Sequence, residues 1–266
     1  MTSESGGLRP GPTRVSLAQP TRNADSYRMI HLPRLHAAIT DRFPDPADAL
    51  DEPNGLLAYG GDLSPDRLLS AYARGIFPWF NADEPILWWS PDPRCVFLTD
   101  RVHVGRRLAR QLRQVPWTLT VDRAFAEVMR ACAAPREGQP GTWISREIID
   151  AYDELHRRGH AHSVEVWEDG ELVGGIYGVA IGRLFCGESM FSWRNGASKA
   201  ALVGLTGLLH RWGFPLLDAQ VTNSHLLSLG AIEISRAMFL DSVRVLVQAA
   251  APDTGAWHDA TVSLDL

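Results

Sequence analysis

The spacing of apolar residues predicts several helices in this chain. From Ala201 to Trp212 the apolar positions follow the helical period, and Gly213 is typical of a helix end. Another helix is expected after Ser64, because Pro65 suits the first helical position. Residues with capping side chains predict the starts of the other helices: Asp122, Ser145, Asn223 and Ser235.

Between these helices the apolar period changes from helical to alternating. Residues 163–167 alternate as a half-buried strand does. The runs 172–181 and 184–191 predict two further strands with a two-residue connection. Such short connections predict an antiparallel meander, which is followed by the helix at 201–212 and a short strand at 216–221.

The order of these elements indicates an α+β protein. A small N-terminal domain is expected at 29–93 and a larger domain, which carries the meander, at 94–250. Residues 1–28 are rich in Ser, Gly, Pro and Arg with little apolar periodicity, so they predict a disordered extension. The same reasoning predicts a disordered tail at 251–266.

The composition is that of an ordinary globular protein. Of 266 residues, 45% are hydrophobic and 21% are charged, which is enough apolar material for a large core. The three cysteines are scattered, as is usual in a reducing compartment. The N-terminus lacks the apolar core of a secretory signal, and the longest apolar run, 172–181, is too short to span a bilayer. We therefore expect a soluble cytoplasmic protein.

The least regular part of the chain places large aromatic side chains on stiff backbone. The stretch 77–94 holds three tryptophans and two phenylalanines between four prolines. Proline lacks an amide donor and fixes φ, which disfavours both a helix and a central strand. Two interpretations stay open: the rings stack against a planar ligand such as a nucleotide base, or they form a hydrophobic plug between domains.

One segment is strongly basic, although the net charge of −5 argues against a general nucleic-acid coat. On a helix its last four arginines wrap one broad face, while Leu108 and Leu112 supply the apolar side. The segment is either a solvated helix face or a contact for phosphate groups. Its members are Arg101, Arg106, Arg107, Arg110 and Arg113.

Two carboxylates in predicted strands are candidates for chemistry. Glu188 lies between Phe185 and Met190, and a buried carboxylate there needs a cationic partner or several donors. It is either half of a structural salt bridge or an anionic subsite for a basic substrate. Asp218 and Gln220 share a period-two spacing, so both are expected on one face of their strand. They either form structural hydrogen bonds or position an amine.

Several other motifs are set aside. His156, His160 and His162 are close in sequence, but no cysteine or third carboxylate stands at a zinc-ligand spacing, so no metal site is expected. The segment 187–191 lacks the second glycine of a nucleophile elbow, which argues against a serine hydrolase. No phosphate-binding glycine fingerprint occurs, and no nucleotide cofactor is implied. Three glycines within the strand pattern predict a bulge or close backbone approach: Gly174, Gly175 and Gly178.

A series of short motifs between about residues 43 and 240 resembles one known family. The motifs are 52–57 (EPNGLL), 60–65 (GGDLSP), 74–80 (RGIFPWF), 88–94 (WWSPDPR), 141–144 (GTWI), 159–163 (GHAHS), 185–192 (FCGESMFS), 197–199 (ASK) and 218–221 (DAQV). They are similar to those of the leucyl/phenylalanyl-tRNA–protein transferases.

The resemblance implies both a fold and a reaction. The larger domain of this family resembles the GCN5-related N-acetyltransferase fold, in agreement with the predicted order of meander, helix and strand. The family moves leucine or phenylalanine, and less readily methionine, from aminoacyl-tRNA to a protein whose N-terminus is arginine or lysine. The product is marked for degradation by the N-degron pathway. The acyl ester is already activated, so the resemblance implies no cofactor and no metal, and a monomeric enzyme is expected.

The resemblance also assigns roles to individual residues. Asp218 would orient Gln220, and Gln220 would contact the attacking amine as a positioner more than as a proton acceptor. Glu188 and Asn223 would hold the acceptor peptide, with Glu188 beside its basic side chain. The arginine segment would bind the tRNA acceptor arm through phosphate. The residues expected around the 3′-terminal adenosine are Trp79, Trp143 and Tyr152.

The implied acyl pocket departs from the family pattern at three positions. Ile176 stands where methionine is usual, and Leu205 and Leu209 stand where phenylalanines are usual. Such changes can alter the preference between leucine and phenylalanine, although one methylene shifts such a choice by only about 1–3 kcal/mol. The expected pocket residues are Ile176, Phe185, Met190, Leu205, Leu209 and Leu217.

Two other functions remain open at this point. An N-acyltransferase of similar fold that uses acyl-CoA would need a glycine-rich loop at a helix start, and residues 195–198 match that poorly. A non-catalytic tRNA-binding module would keep the tryptophans and arginines but would not need Asp218 and Gln220.

Overall fold

A computed structural model describes residues 32–37, 42–135, 142–252 and 254–264. These residues form a four-stranded sheet in the N-terminal region and a seven-stranded sheet in a larger C-terminal domain, with helices packed on them. The predicted α+β class, with a smaller N-terminal and a larger C-terminal part, is confirmed. The N-terminal 28 residues, predicted as a disordered extension, lie outside the described residues.

The N-terminal sheet has the strand order β1-β2-β4-β3. Its fully buried Trp88 packs in the core, and the Trp88 indole N–H donates to the Gly60 carbonyl at 2.9 Å. The elements are β1 Arg34–Leu35, β2 Leu56–Gly60, α1 Pro65–Tyr72, β3 Phe77–Pro78 and β4 Leu87–Trp89, with a short 3-10 helix at Pro46–Asp48.

The larger sheet begins with β5 and has the strand order β11-β5-β10-β9-β8-β7-β6. Its strands are β5 Arg94–Leu98, β6 Thr118–Val121, β7 Ala161–Glu168, β8 Glu171–Ile181, β9 Leu184–Ser192, β10 Leu216–Gln220 and β11 Ile232–Ile234. The helices of this part are α2 Arg106–Gln114, α3 Phe125–Ala133, α4 Arg146–Arg157, α5 Ala197–Arg211, α6 Ser224–Ser228, α7 Arg236–Leu246 and α8 Thr254–His258.

Most of the predicted elements are present. Strands β7, β8 and β9 form the antiparallel meander that the sequence predicts. The side chains of Ser145, Asn223 and Ser235 each accept a hydrogen bond from a backbone N–H in the first turn of the helix that follows. The cap predicted at Asp122 is wrong, because α3 starts after Ala124 and the Asp122 carboxylate binds His162 and the Ser163 N–H instead.

Two hydrophobic clusters cover the opposite faces of the larger sheet. Neighbouring residues of one strand fall into different clusters, as Leu216 and Leu217 do, because side chains alternate across a strand. The first cluster joins this sheet to α1, α3, α4, α7 and the N-terminal sheet. The second cluster lies under α2, α5 and α8. The N-terminal sheet therefore packs on one face of the larger domain.

The prediction of a disordered C-terminal segment is wrong for its described residues. Trp257 in α8 is only 2% exposed and stacks on His162, with ring centroids 3.8 Å apart. Trp212 meets the same indole edge-on at 4.8 Å, and Val262 is buried nearby in the same cluster. The packing of Trp257 thus orders this segment, although its weak apolar periodicity predicts disorder. No described helix is long and apolar enough to cross a membrane.

Replacing Trp257 with alanine should destabilise the protein by about 3–5 kcal/mol, because the change leaves a cavity under α8. Urea denaturation followed by circular dichroism measures this loss. Trp193→Ala is the matched control, since Trp193 is 53% exposed and its truncation should cost less than about 1 kcal/mol. Equal losses for the two variants would contradict an anchoring role for α8.

Candidate active site

Strands β9 and β10 diverge in the middle of the larger sheet. The two strands pair in parallel only where Leu217 lies beside Phe185 and Asp218 lies beside Cys186. Beyond that point β9 continues to Ser192, whereas β10 ends at Gln220. The second half of β9 therefore has no β10 partner. This unpaired part of β9, here called the open edge, leaves a gap between the two faces of the sheet.

A β-bulge places Glu188 at this open edge. Tyr177 pairs with Ser189 and Gly178 pairs with Gly187, so Glu188 is an extra residue in β9. Gly178 has no room for a side chain, because a Cβ there would lie 2.2 Å from the Cys186 carbonyl oxygen. The expectation of close backbone approach at this glycine is confirmed. Bulges redirect side chains, and here Glu188 leaves the regular alternation of its strand.

A second bulge lies opposite, at the end of β10. Asp218 pairs with Val96 and Gln220 pairs with Cys95, so Ala219 is the extra residue. Gln220 has a φ of 63°, a left-handed conformation that costs energy in a non-glycine residue. Asp218 and Gln220 nevertheless lie on one face, as the spacing predicts. Ala219 between them packs against the second cluster, whereas Gln220 donates to Glu188 beside Tyr72 of the first cluster. The Asp218 carboxylate supports the turn by accepting from the Gln220 N–H at 2.9 Å.

Asp218 is bound by a buried arginine that sequence reasoning did not single out. Arg94 donates to the Asp218 carboxylate through Nε at 2.8 Å and Nη2 at 2.7 Å, in a bidentate pair. Both side chains are buried. Arg94 also donates to the Gly75 carbonyl of the N-terminal region at 3.1 Å. Both Asp218 oxygens thus accept hydrogen bonds from Arg94, so this carboxylate is held in a fixed position beside Gln220.

Glu188 accepts hydrogen bonds from three side chains of three different elements. Gln220 Nε2 donates to its Oε1 at 2.9 Å, and the Tyr72 hydroxyl donates to the same oxygen at 2.7 Å. The Tyr152 hydroxyl donates to Oε2 at 3.2 Å, and the two tyrosine hydroxyls also contact each other. The sequence did not indicate a role for Tyr72, because nothing in its spacing showed that its hydroxyl would contact a residue of the larger domain.

The surroundings change the acid–base properties of these groups. Burial raises the pKa of Glu188 to about 7, and this effect outweighs the hydrogen bonds that favour its ionised form. Burial also raises the pKa of Tyr72 and of Tyr152 well above the usual value, as does the nearby Glu188 charge, so both remain donors. The pKa of the Cys186 thiol is raised strongly by burial, which disfavours a thiolate nucleophile.

The predicted acyl pocket residues lie together on the α5 side of the sheet. All six belong to the second hydrophobic cluster or pack against it. Ile176 faces Met190 across β8 and β9, and Phe185 lies beside Leu217 across β9 and β10. Leu205 and Leu209 approach from α5. The open edge lies between this apolar set and Glu188, which faces the first cluster.

The aromatic residues of the N-terminal region border the same edge. Trp79 is 43% exposed and lines a cavity of about 200 Å³ together with Val221 and Thr222, which directly follow Gln220. The Trp89 indole N–H donates to the Trp79 carbonyl at 2.6 Å and fixes this turn. Trp143, which belongs to the larger domain, is half-buried against the first cluster and does not line this cavity. The rings of this region form partly a plug, as Trp88 does, and partly an accessible surface.

Other predicted residues are placed as follows. Tyr152 is fully buried and offers its hydroxyl, not its ring face, to the site. Asn223 is exposed, and its side-chain oxygen accepts from the Leu226 N–H at 2.8 Å as the cap of α6. His162 binds Asp122 and stacks on Trp257. Among the described residues no group of three His, Cys, Asp or Glu is arranged to hold a metal ion.

Four of the five arginines in the basic segment form an exposed surface on α2. All five arginines of the segment are exposed, and Ala109 and Leu112 form the buried side of the helix. Arg101 lies near Asp100 at 3.7 Å. The other four make no ion pair with any residue that the structure describes: Arg106, Arg107, Arg110 and Arg113.

Comparison with known proteins gives a consistent result. The family described as "Leucyl/phenylalanyl-tRNA protein transferase" matches residues 96–244, and its N-terminal domain matches residues 61–92. A protein of Shewanella baltica (strain OS185) named "Leucyl/phenylalanyl-tRNA--protein transferase" is 55% identical over 85% of this chain and 95% of its own length. A protein of Xanthomonas axonopodis pv. citri (strain 306) with the same name is 59% identical over 82% of this chain and 88% of its own.

One solved structure, that of L-PGS from Bacillus licheniformis, aligns with 63% of this chain and 54% of its own at a TM-score of 0.36 and 13% identity, too distant to support a conclusion. The two family matches cover most of the larger sheet and its helices, and the relatives align over nearly their whole lengths. The chain belongs to the leucyl/phenylalanyl-tRNA–protein transferase family.

Proposed function

We propose that this chain, an aminoacyltransferase by its family, moves leucine or phenylalanine, and less readily methionine, from aminoacyl-tRNA to proteins that begin with arginine or lysine. The names of its relatives support the reaction class. The observation that carries the proposal is the contact between Gln220 and Glu188 at the open edge beside β9. There an amide and a carboxylate lie between an apolar cluster and an accessible aromatic surface.

The reaction needs positioning more than activation. The acyl group arrives as an ester, and an N-terminal amine with a pKa of about 8 is partly uncharged near neutral pH. The amine nitrogen attacks the ester carbon, the bond to the tRNA ribose oxygen breaks, and the amine proton leaves through that ribose hydroxyl or a water. Gln220 holds the amine in line with the ester. Asp218 keeps Gln220 in place, because Arg94 fixes the Asp218 carboxylate and that carboxylate accepts a hydrogen bond from the Gln220 N–H.

Glu188 is the proposed subsite for the basic side chain of the acceptor. A half-buried carboxylate without a cationic partner among the described residues can lower its energy by binding arginine or lysine. Its three neutral hydrogen-bond donors fix its direction without neutralising its charge. Asn223 stands near the end of β10 and is proposed to contact the peptide backbone through its amide N–H groups.

The donor is proposed to bind at the same open edge. Trp79 and Trp143 flank the terminal adenosine, Tyr152 supports the same region through Glu188, and the arginines of the basic segment bind acceptor-arm phosphates. The acyl group enters the apolar set formed by β8, β9 and α5. We further propose a monomeric enzyme of the cytoplasm that requires no cofactor and whose products enter the N-degron pathway; the free, buried cysteines suit a reducing compartment.

A transfer assay tests this function directly. The protein is incubated with radiolabelled Leu-tRNA, Phe-tRNA or acetyl-CoA, and with peptides that begin with Arg, Lys or Ala. We expect incorporation from both tRNAs into the Arg and Lys peptides, little into the Ala peptide, and none from acetyl-CoA. Transfer from acetyl-CoA would support an acyl-CoA enzyme, and tRNA binding without any transfer would support a binding module.

Acceptor binding should depend on pH through Glu188. Because the pKa of Glu188 is about 7, the carboxylate is largely neutral below that pH and ionised above it. The KM for an Arg peptide should therefore fall as pH rises from 6 to 8. In Glu188→Gln the KM should be about tenfold or more higher, and its change with pH should flatten. A wild-type KM that does not change between pH 6 and 8 would contradict this role.

The basic face of α2 should set the salt dependence of donor binding. Replacing Arg106, Arg107 and Arg110 together should raise the KM for aminoacyl-tRNA. It should also reduce the slope of log KM against log salt by about 2–3, since each lost phosphate contact accounts for about 0.7–0.9. The control replaces three exposed arginines that pair with acidic residues of their own helices: Arg146, Arg157 and Arg244. An unchanged slope in the α2 variant, or an equal change in the control, would refute the assignment.

A further inference from the structure

The indole of Trp193 is exposed in a way that its neighbours do not explain. Trp193 directly follows the last residue of β9, and 53% of its surface is accessible. Phe191 meets the indole edge-on, with ring centroids 5.7 Å apart, so one side of the ring is supported. An indole that is exposed on one side and supported by an aromatic ring on the other can stack on a planar binding partner.

A cavity beside this indole connects it to the proposed acyl pocket. The cavity measures about 240 Å³ and is lined by Trp193, Met190, Ser198 and His225, together with the end of α3. Met190 is also a wall of the acyl set under α5. A ligand whose acyl end lies beside Met190 would therefore continue outward past Trp193.

The basic helix lies on the other side of Trp193. Gln111 in α2 donates through Nε2 to the Asn195 carbonyl at 2.5 Å, and this bond holds the segment 193–196 against α2. Arg106 and Arg110 on the exposed part of that helix have no acidic partner among the described residues. The order along this surface is thus free cations, an exposed aromatic ring, a cavity and the acyl pocket.

Single-stranded nucleic acid matches that order. Proteins bind unpaired strands by combining a basic track for phosphate with aromatic rings on which bases stack. The donor of the proposed reaction carries an unpaired 3′ end between its double-stranded acceptor arm and its acyl group. We propose that Trp193 is a stacking platform for an unpaired base that precedes the terminal adenosine of the tRNA; this inference rests on the proposed function.

Kinetics with two donors test the assignment. Trp193→Ala should raise the KM for Phe-tRNA about tenfold, and Trp193→Phe, which keeps an aromatic ring, should raise it less than threefold. Neither variant should change the KM for phenylalanyl-adenosine, which lacks the preceding nucleotides. Met238→Ala, at an exposed apolar residue of α7, is the control and should behave as wild type. An unchanged KM for Phe-tRNA in Trp193→Ala, or an equal rise for both donors, would overturn the proposal.

Direct binding separates this inference from the proposed reaction. Acceptor-stem RNA hairpins with and without an unpaired CCA end are titrated by fluorescence anisotropy, with no transfer required. Trp193→Ala should weaken binding of the CCA hairpin about tenfold and leave that of the blunt hairpin unchanged. This result without any transfer activity would refute the proposed function but not the stacking platform, whereas equal weakening of both hairpins would refute the platform.

Discussion

The buried pair of Arg94 and Asp218 is the interaction on which the rest of the site depends. The guanidinium lies over the rings of Phe77 and Phe239, at 4.9 Å and 4.4 Å from their centroids, and its third donor binds Gly75. It therefore joins the N-terminal region to the larger sheet. Removal of one partner of such a pair leaves an uncompensated charge, at a cost of about 3–5 kcal/mol. Folding and site geometry are thus linked through one contact, because the same carboxylate holds Gln220.

Two irregularities in neighbouring strands create the site. A regular β9 would keep Glu188 in the alternation of its strand, and continued pairing of β9 with β10 would close the edge beside Gln220. The extra residue Glu188 interrupts the pairing of β9 with β8, and the extra residue Ala219 interrupts the pairing of β10 with β5 at the same level of the sheet. Two hydrogen bonds stabilise the strained backbone conformation of Gln220: its N–H donates to the Asp218 carboxylate, and its side-chain amide donates to Glu188. This pattern explains why an open edge is compatible with a rigid site.

Local patterns in the sequence predict the elements well but predict little of how the site is assembled. The meander and the capped helices follow from period and side-chain chemistry over a few residues. The partner of Asp218 does not, because Arg94 is 124 residues away and is one arginine among many. Bulges leave no periodic signal of their own; only the glycine opposite Glu188 hinted at one. Tyr72 and Trp257 looked like an ordinary core residue and a tail residue, since their partners come from distant segments.

The N-terminal region is part of the site and not an appendage to it. It supplies the Tyr72 hydroxyl to Glu188, the Gly75 carbonyl to Arg94 and the exposed Trp79 beside Val221. The larger domain supplies the carboxylates, the amide and the apolar cluster. In the proposed reaction the acyl group lies on the α5 face, and the acceptor lies on the face that the N-terminal region covers. The ester and the amine can meet only where β9 loses its partner, so the open edge determines where the new bond forms.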